Sequence, residues 1–95
     1  MELRVSDLVE STAGRDRGKL FYVIGTEGVY ALLANGKDRP IERPKRKKQK
    51  HLRRVDPVES EVARMIRSGG KVLNAQLRRD LAIISQSLRS HNQGG

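Results

Sequence analysis

Lys19-Leu20-Phe21-Tyr22-Val23-Ile24-Gly25 is the most strand-like run of this 95-residue chain. Leu20 to Ile24 are all apolar, with aromatic and β-branched side chains prominent, and the run is too short for a buried helix. It reads as a central strand. Toward the N-terminus, Val5, Leu8 and Val9 with Thr12 and Ala13 sketch a first strand region. Gly14-Arg15-Asp16-Arg17-Gly18 then interrupts the pattern with two glycines and an aspartate, the composition of a turn. Toward the C-terminus, Thr26-Glu27-Gly28 turns the chain and Val29-Tyr30-Ala31-Leu32-Leu33-Ala34 returns. Asn35-Gly36 predicts a tight hairpin with a type I′ turn, because both residues tolerate positive φ. A strand through Arg39-Pro40-Ile41-Glu42 would be an edge, since proline cannot donate to a ladder. Four or five short strands with Gly-rich turns in about 55 residues predict a mainly β unit, a small barrel or curled sheet.

Beyond Val55 the pattern changes period. Asp56-Pro57-Val58-Glu59 has the form of a helix start, with aspartate as cap, proline at the first helical position and a glutamate to close a capping box. Val58, Val62, Met65 and Ile66 then share a face, and Ser68-Gly69-Gly70 ends the run. A second helix is expected from an Asn74 cap, through Ala75 to about Arg89, with Leu77, Leu81, Ile84 and Leu88 as its apolar stripe. The organisation expected is thus a β unit over residues 1–55 and a C-terminal two-helix extension over 56–95, with helices near 57–68 and 75–89. The two stripes face each other or the sheet, and His91 to Gly95 reads as frayed.

Twenty Lys and Arg against 11 Asp and Glu give a formal charge of +9. The excess is local. Residues 1–38 carry five basic and six acidic side chains, residues 39–55 nine and one, and residues 56–95 six and four. Its centre is Arg43-Pro44-Lys45-Arg46-Lys47-Lys48-Gln49-Lys50-His51-Leu52-Arg53-Arg54. A free block of this kind repels itself and is expected to be extended or mobile, but Leu52 and Val55 offer apolar anchors and a helix follows, so a tethered loop or edge strand is expected. Concentrated positive charge points to a polyanionic partner.

The same composition argues against other classes. With no cysteine there is neither a disulfide framework nor a thiolate metal site. No apolar run approaches the roughly 18 residues of a membrane span, and Met1-Glu2-Leu3-Arg4-Val5-Ser6-Asp7 lacks a signal-peptide core, so a soluble intracellular protein without membrane association is expected. Gly14-Arg15-Asp16-Arg17-Gly18-Lys19 resembles a phosphate-binding loop only superficially: one spacer residue is missing, and Leu20 stands where a magnesium-binding hydroxyl belongs. The two histidines, one in the basic strip and one near the C-terminus, compose no triad or metal cluster. The expectation is a non-enzyme with no cofactor, no catalytic residue and no metal.

Val9 to Val23, with its strand, Gly-bracketed basic loop and second strand, resembles the KOW motif of RNA-associated proteins. The ordered series that follows, Leu32-Leu33-Ala34-Asn35-Gly36, then Arg39 to Lys48, then His51-Leu52, is similar to KOW-containing large-subunit ribosomal proteins of archaea and eukaryotes and to their small bacterial relatives. The resemblance covers residues 3–55 and not the helical part. It implies an SH3-like barrel, RNA binding, ribosomal RNA as the first candidate, and a cytoplasmic, ribosome-associated protein. A protein-interaction module of the transcription or translation machinery is the alternative, with ribosomal or transcription proteins docking through the helices.

The residues that would carry RNA binding are Arg15, Arg17 and Lys19 of the loop and Arg43, Lys45, Arg46, Lys47, Lys48, Lys50, His51, Arg53 and Arg54 of the strip. Gly14 and Gly18 are the structural glycines of the loop, Gly18 for its backbone conformation and Gly14 for close approach. Asp16 is expected to brace the loop through its own backbone. His51 either contacts RNA or is an ordinary surface or strand histidine. Phe21, Tyr22 and Tyr30 lie in the most apolar strands and are expected to pack rather than to form a stacking platform, so that phosphate and shape dominate recognition.

Overall fold

Phe21, Tyr22 and Val23 are all essentially buried, at no more than 1% exposed, although successive residues of a strand point to opposite faces. Both faces of the sheet are therefore covered. The computed structural model describes residues 2–55 and 60–93, with side chains described as far as Leu88. It contains five strands, β1 (Leu8–Ser11), β2 (Leu20–Glu27), β3 (Tyr30–Ala34), β4 (Lys45–Lys48) and β5 (Leu52–Arg54), and two helices, α1 (Glu61–Arg67) and α2 (Asn74–Gln93). A single 3-10 turn, Gln49–His51, joins β4 to β5.

The strands form one antiparallel sheet in the order β4-β3-β2-β1-β5. Its two edge strands are neighbours in sequence. A flat sheet of this width would hold its edges about 19 Å apart, whereas the three-residue turn can span at most about 14 Å. The sheet must curl to bring the edges toward each other, although it does not close. One face of the curl holds Leu3, Val9, Phe21, Val23, Ala31, Leu33 and Leu52. The other presents Leu8, Tyr22 and Ala34 to Val55, Val62 and Ala63 and to Leu77, Leu81 and Ile84 of α2. Alternation along β1, β2 and β3 thus feeds two separate cores, and the helices share one of them with the sheet.

A bulge in β2 changes which side chains share a face. Val23 pairs with Leu33 but Gly25 pairs with Leu32, so two residues of β2 oppose one of β3. Beyond it, Thr26 lies opposite the inward Ala31, and Glu27 lies opposite Tyr30 on the outer face.

Several expectations require correction. Asn35-Gly36 does not make a type I′ turn, because Asn35 does not have positive φ. Asn35 instead organises a wider loop: its Oδ1 accepts the amides of Lys37 and Arg39, both at 3.0 Å, and its Nδ2 donates to Asp38. The Arg39–Glu42 stretch is a turn rather than a strand, and the edge is Lys45–Lys48. Val5, Thr12 and Ala13 fall outside β1. Helix α1 is capped by Ser60, whose side chain accepts the Ala63 amide at 3.0 Å; the expected start at 56–59 lies outside the described residues. Asn74 does not cap α2. The first helical bond runs from Leu77 to the Leu73 carbonyl, and Gln76 reaches back to the Leu73 amide at 2.9 Å. Asn74 faces the loop of residues 35–44, accepting from Ile41 and donating to the Glu42 carboxylate.

Gly36 shows how closely that loop meets α2. It is buried at φ +76°, a Cβ there would overlap the Asn74 carbonyl oxygen, and its own carbonyl accepts from Arg78 at 2.8 Å. Tyr22 joins sheet and helices from the other side: its hydroxyl donates to Asp80 of α2 at 2.5 Å and lies 3.2 Å from the Ser60 hydroxyl. Burial of the phenol, reinforced by the Asp80 carboxylate, raises its pKa well above the ordinary tyrosine value. No described helix is long and apolar enough to cross a membrane.

Candidate nucleic-acid interface

The basic strip is the sheet's edge. β4 consists of Lys45, Arg46, Lys47 and Lys48, and strand alternation divides them between two faces. Lys45 and Lys47 lie opposite Leu33 and Ala31, both of the inner core; Arg46 and Lys48 lie opposite Leu32 and Tyr30, on the outer face. Two ammonium groups are thereby turned toward an apolar interior. They are stable there because Asp16 meets both.

Asp16 comes from the glycine-bracketed loop, and its burial is set by that loop. Gly14 at φ +83° and Gly18 at φ +88° turn the chain, with the Gly18 amide donating to the Ser11 carbonyl at 2.8 Å. The carboxylate points inward, 2.7 Å from Lys45 Nζ through Oδ2 and 2.7 Å from Lys47 Nζ through Oδ1. The buried Ser11 hydroxyl adds a donor at 2.9 Å, and Lys47 also donates to the Ala13 carbonyl at 2.6 Å. Burial favours the neutral acid, but hydrogen bonds from Lys45, Lys47 and Ser11 outweigh it and hold the carboxyl well below the usual carboxylate range. Asp16 therefore does more than brace its own loop. It fastens the loop to β4, 31 residues away.

That clip brings Arg15 and Arg17, the exposed neighbours of Asp16, beside the basic edge strand. The other expected residues divide by their partners. Lys19 pairs with Asp38 at 2.8 Å; the lysine and Asn35 lower the Asp38 pKa to about 2. Arg46 lies 3.8 Å from the centre of the Tyr30 ring, with its Nε 3.3 Å from Glu27. Arg53 pairs with Glu10 across β5 and β1, and Arg54 is 3.9 Å from Asp7. His51 is half-buried in the 3-10 turn, where its carbonyl accepts the Thr12 amide at 2.9 Å. Arg15, Arg17, Arg43, Lys48 and Lys50 are exposed and form no ion pair among the described residues.

Lys45 and Lys47, by contrast, are committed to the fold: their side chains are 25% and 10% exposed. The expected set shrinks accordingly. An alanine block across residues 45–48 would leave Asp16 buried without its cations, so lost binding in that variant would also report lost structure.

Sequence reasoning missed three positions. Asp16 carried no signal of its 31-residue reach. Lys37 and Arg78 were outside the set, yet with Lys19 and Asp38 they line a depression of about 590 Å³ between the loops and α2. A second depression, about 1030 Å³, lies where the β2–β3 turn meets the 3-10 turn, with Gly28, Val29, Lys48 and Lys50 on its wall. Gln49 shapes it, accepting from the Leu3 amide at 3.0 Å and donating to the Gly28 carbonyl at 3.1 Å. No group of three His, Cys, Asp or Glu among the described residues is placed to hold a metal ion.

Comparison with protein-family models gives no match, and comparison with curated proteins gives none either.

Proposed function

We propose that this chain is a non-enzymatic RNA-binding protein built on an SH3-like barrel of the KOW type, which docks on structured RNA, ribosomal RNA in the first instance. The observation that carries this reading is the Asp16 clip, which fastens a basic loop to a basic edge strand. The sheet's curl, with sequence-adjacent strands at opposite edges, supports the barrel assignment. Arg15, Arg17, Arg43, Lys48 and Lys50 are available for phosphates, which position a protein without reading sequence. Such a protein works in the cytoplasm in association with ribosomes.

The test replaces exposed cations alone. Alanine at Arg15, Arg17, Lys48 and Lys50 leaves Asp16 and both of its lysines intact and is expected to release the protein from RNA and from sedimenting ribosomes. Undiminished co-sedimentation of this folded variant would sink the reading and favour a protein partner instead.

A further inference from the structure

Arg46 lies over an aromatic ring, a placement that phosphate contact does not require. Its guanidinium carbon is 3.8 Å from the Tyr30 centroid, so Tyr30 covers one face of the cation. Glu27 holds the Nε edge at 3.3 Å. The arginine side chain is nevertheless 58% exposed, so the cation is held against Tyr30 and Glu27 without being buried. Guanidinium is planar and weakly hydrated, and a nucleobase can stack on it as on an aromatic ring.

The bulge in β2 makes this arrangement possible. By shifting the alternation it puts Glu27 on the outer face directly opposite Tyr30, while Lys48 lies opposite Tyr30 from β4. One face therefore presents an anchored guanidinium and an exposed cation without an ion-pair partner among the described residues, and the turn between β2 and β3 carries the exposed apolar side chain of Val29, at 67%. Lys48 and Lys50 also border the depression of about 1030 Å³ beside it. A planar cation next to further cations is complementary to a base attached to its own phosphates.

Resting on the RNA-binding reading, we propose that Arg46 on Tyr30 is a stacking platform for an unpaired RNA base, whose adjoining phosphates meet Lys48 and Lys50. Bases within an A-form helix are already stacked and offer no free face. The site thus selects loops, bulges or single strands, and adds base contact to what would otherwise be phosphate recognition alone.

The experiment compares a single-stranded uridine oligonucleotide with a blunt-ended RNA duplex of equal length, using the full chain and the variants Arg46→Lys and Tyr30→Leu. Arg46→Lys keeps the charge and removes the plane. It is expected to weaken single-strand binding about tenfold, within the usual worth of one stacked base, with duplex affinity and salt dependence unchanged. Tyr30→Leu should do the same by leaving the guanidinium unsupported. Tyr22 is buried, so quenching of tyrosine fluorescence by the single strand and not by the duplex is the second expected readout. Equal affinities for both RNAs in wild type and variants, without quenching, would overturn the platform while leaving phosphate-driven RNA binding in place. Failure of the wild-type chain to bind either RNA at low salt would overturn both.

Discussion

Asp16 places one negative charge between two ammonium groups on the inner face of the sheet. Asp16→Asn would keep its shape and remove its charge, leaving Lys45 and Lys47 mutually repelling beside an apolar core. A loss of about 3 kcal/mol in chemical denaturation is expected, typical of breaking a shielded pair from one side. Acidity acts on the same group. Its carboxyl pKa is depressed in the folded chain, so the unfolded chain takes up the proton first as pH falls. The stabilisation is complete above about pH 4 and is lost as pH falls below it toward the folded value. Thermal melts across that range should show a steep acid limb in the wild type and a shallower one in Asp16→Asn. Tyr22 has the opposite sense at high pH. Its raised pKa means that the unfolded chain ionises first above about pH 10, so stability declines from there upward. Tyr22→Phe should cost about 2 kcal/mol near neutrality, because it leaves Asp80 without its phenolic donor and retains the ring.

Among the elements, β4 shows how an edge can be basic and ordered at once. Lysines on an exposed edge discourage pairing with another sheet, and two of those in β4 are turned inward onto a carboxylate. The loop of residues 35–44 depends on a different device, a glycine at the contact with α2. Gly36→Ala adds a Cβ where the Asn74 carbonyl already stands and imposes a left-handed backbone on a side chain. A loss of about 2 kcal/mol or more is expected, and the Ile41 amide, which donates to Asn74, should lose protection from hydrogen exchange. Local sequence and tertiary contacts favour different turns in this element. Asn-Gly satisfies the I′ turn locally, but the Asn35 carboxamide bonds Lys37, Arg39 and Asp38 and supports a wider turn that reaches the helix. Asn74 is likewise of a residue type that favours caps, whereas its amide bonds Ile41 and Glu42, more than 30 residues away.

At the scale of the whole molecule, sheet and helices share a core, since Leu8, Tyr22 and Ala34 pack against Leu77, Leu81 and Ile84. A fragment ending at Val55 would expose that face and is expected to be aggregated or unfolded, as circular dichroism and sedimentation would reveal. RNA affinity should fall by roughly a hundredfold or more for a fourfold rise in salt if Arg15, Arg17, Arg43, Lys48 and Lys50 all meet phosphates. Residue order alone sufficed for what depends on near neighbours: the apolar strand about Tyr22, the turn glycines at 14 and 18, the stripe of α2, and the basic block. Each follows from periodicity, backbone freedom or summed charge over a few residues. Which cations of that block remain exposed depended on strand alternation, the β2 bulge and the partners Asp16, Glu27 and Glu10, contributed by other strands and by the β1–β2 loop. Such pairings join positions tens of residues apart, and no local pattern encodes them; they arise when the sheet curls and brings its loop and edges together.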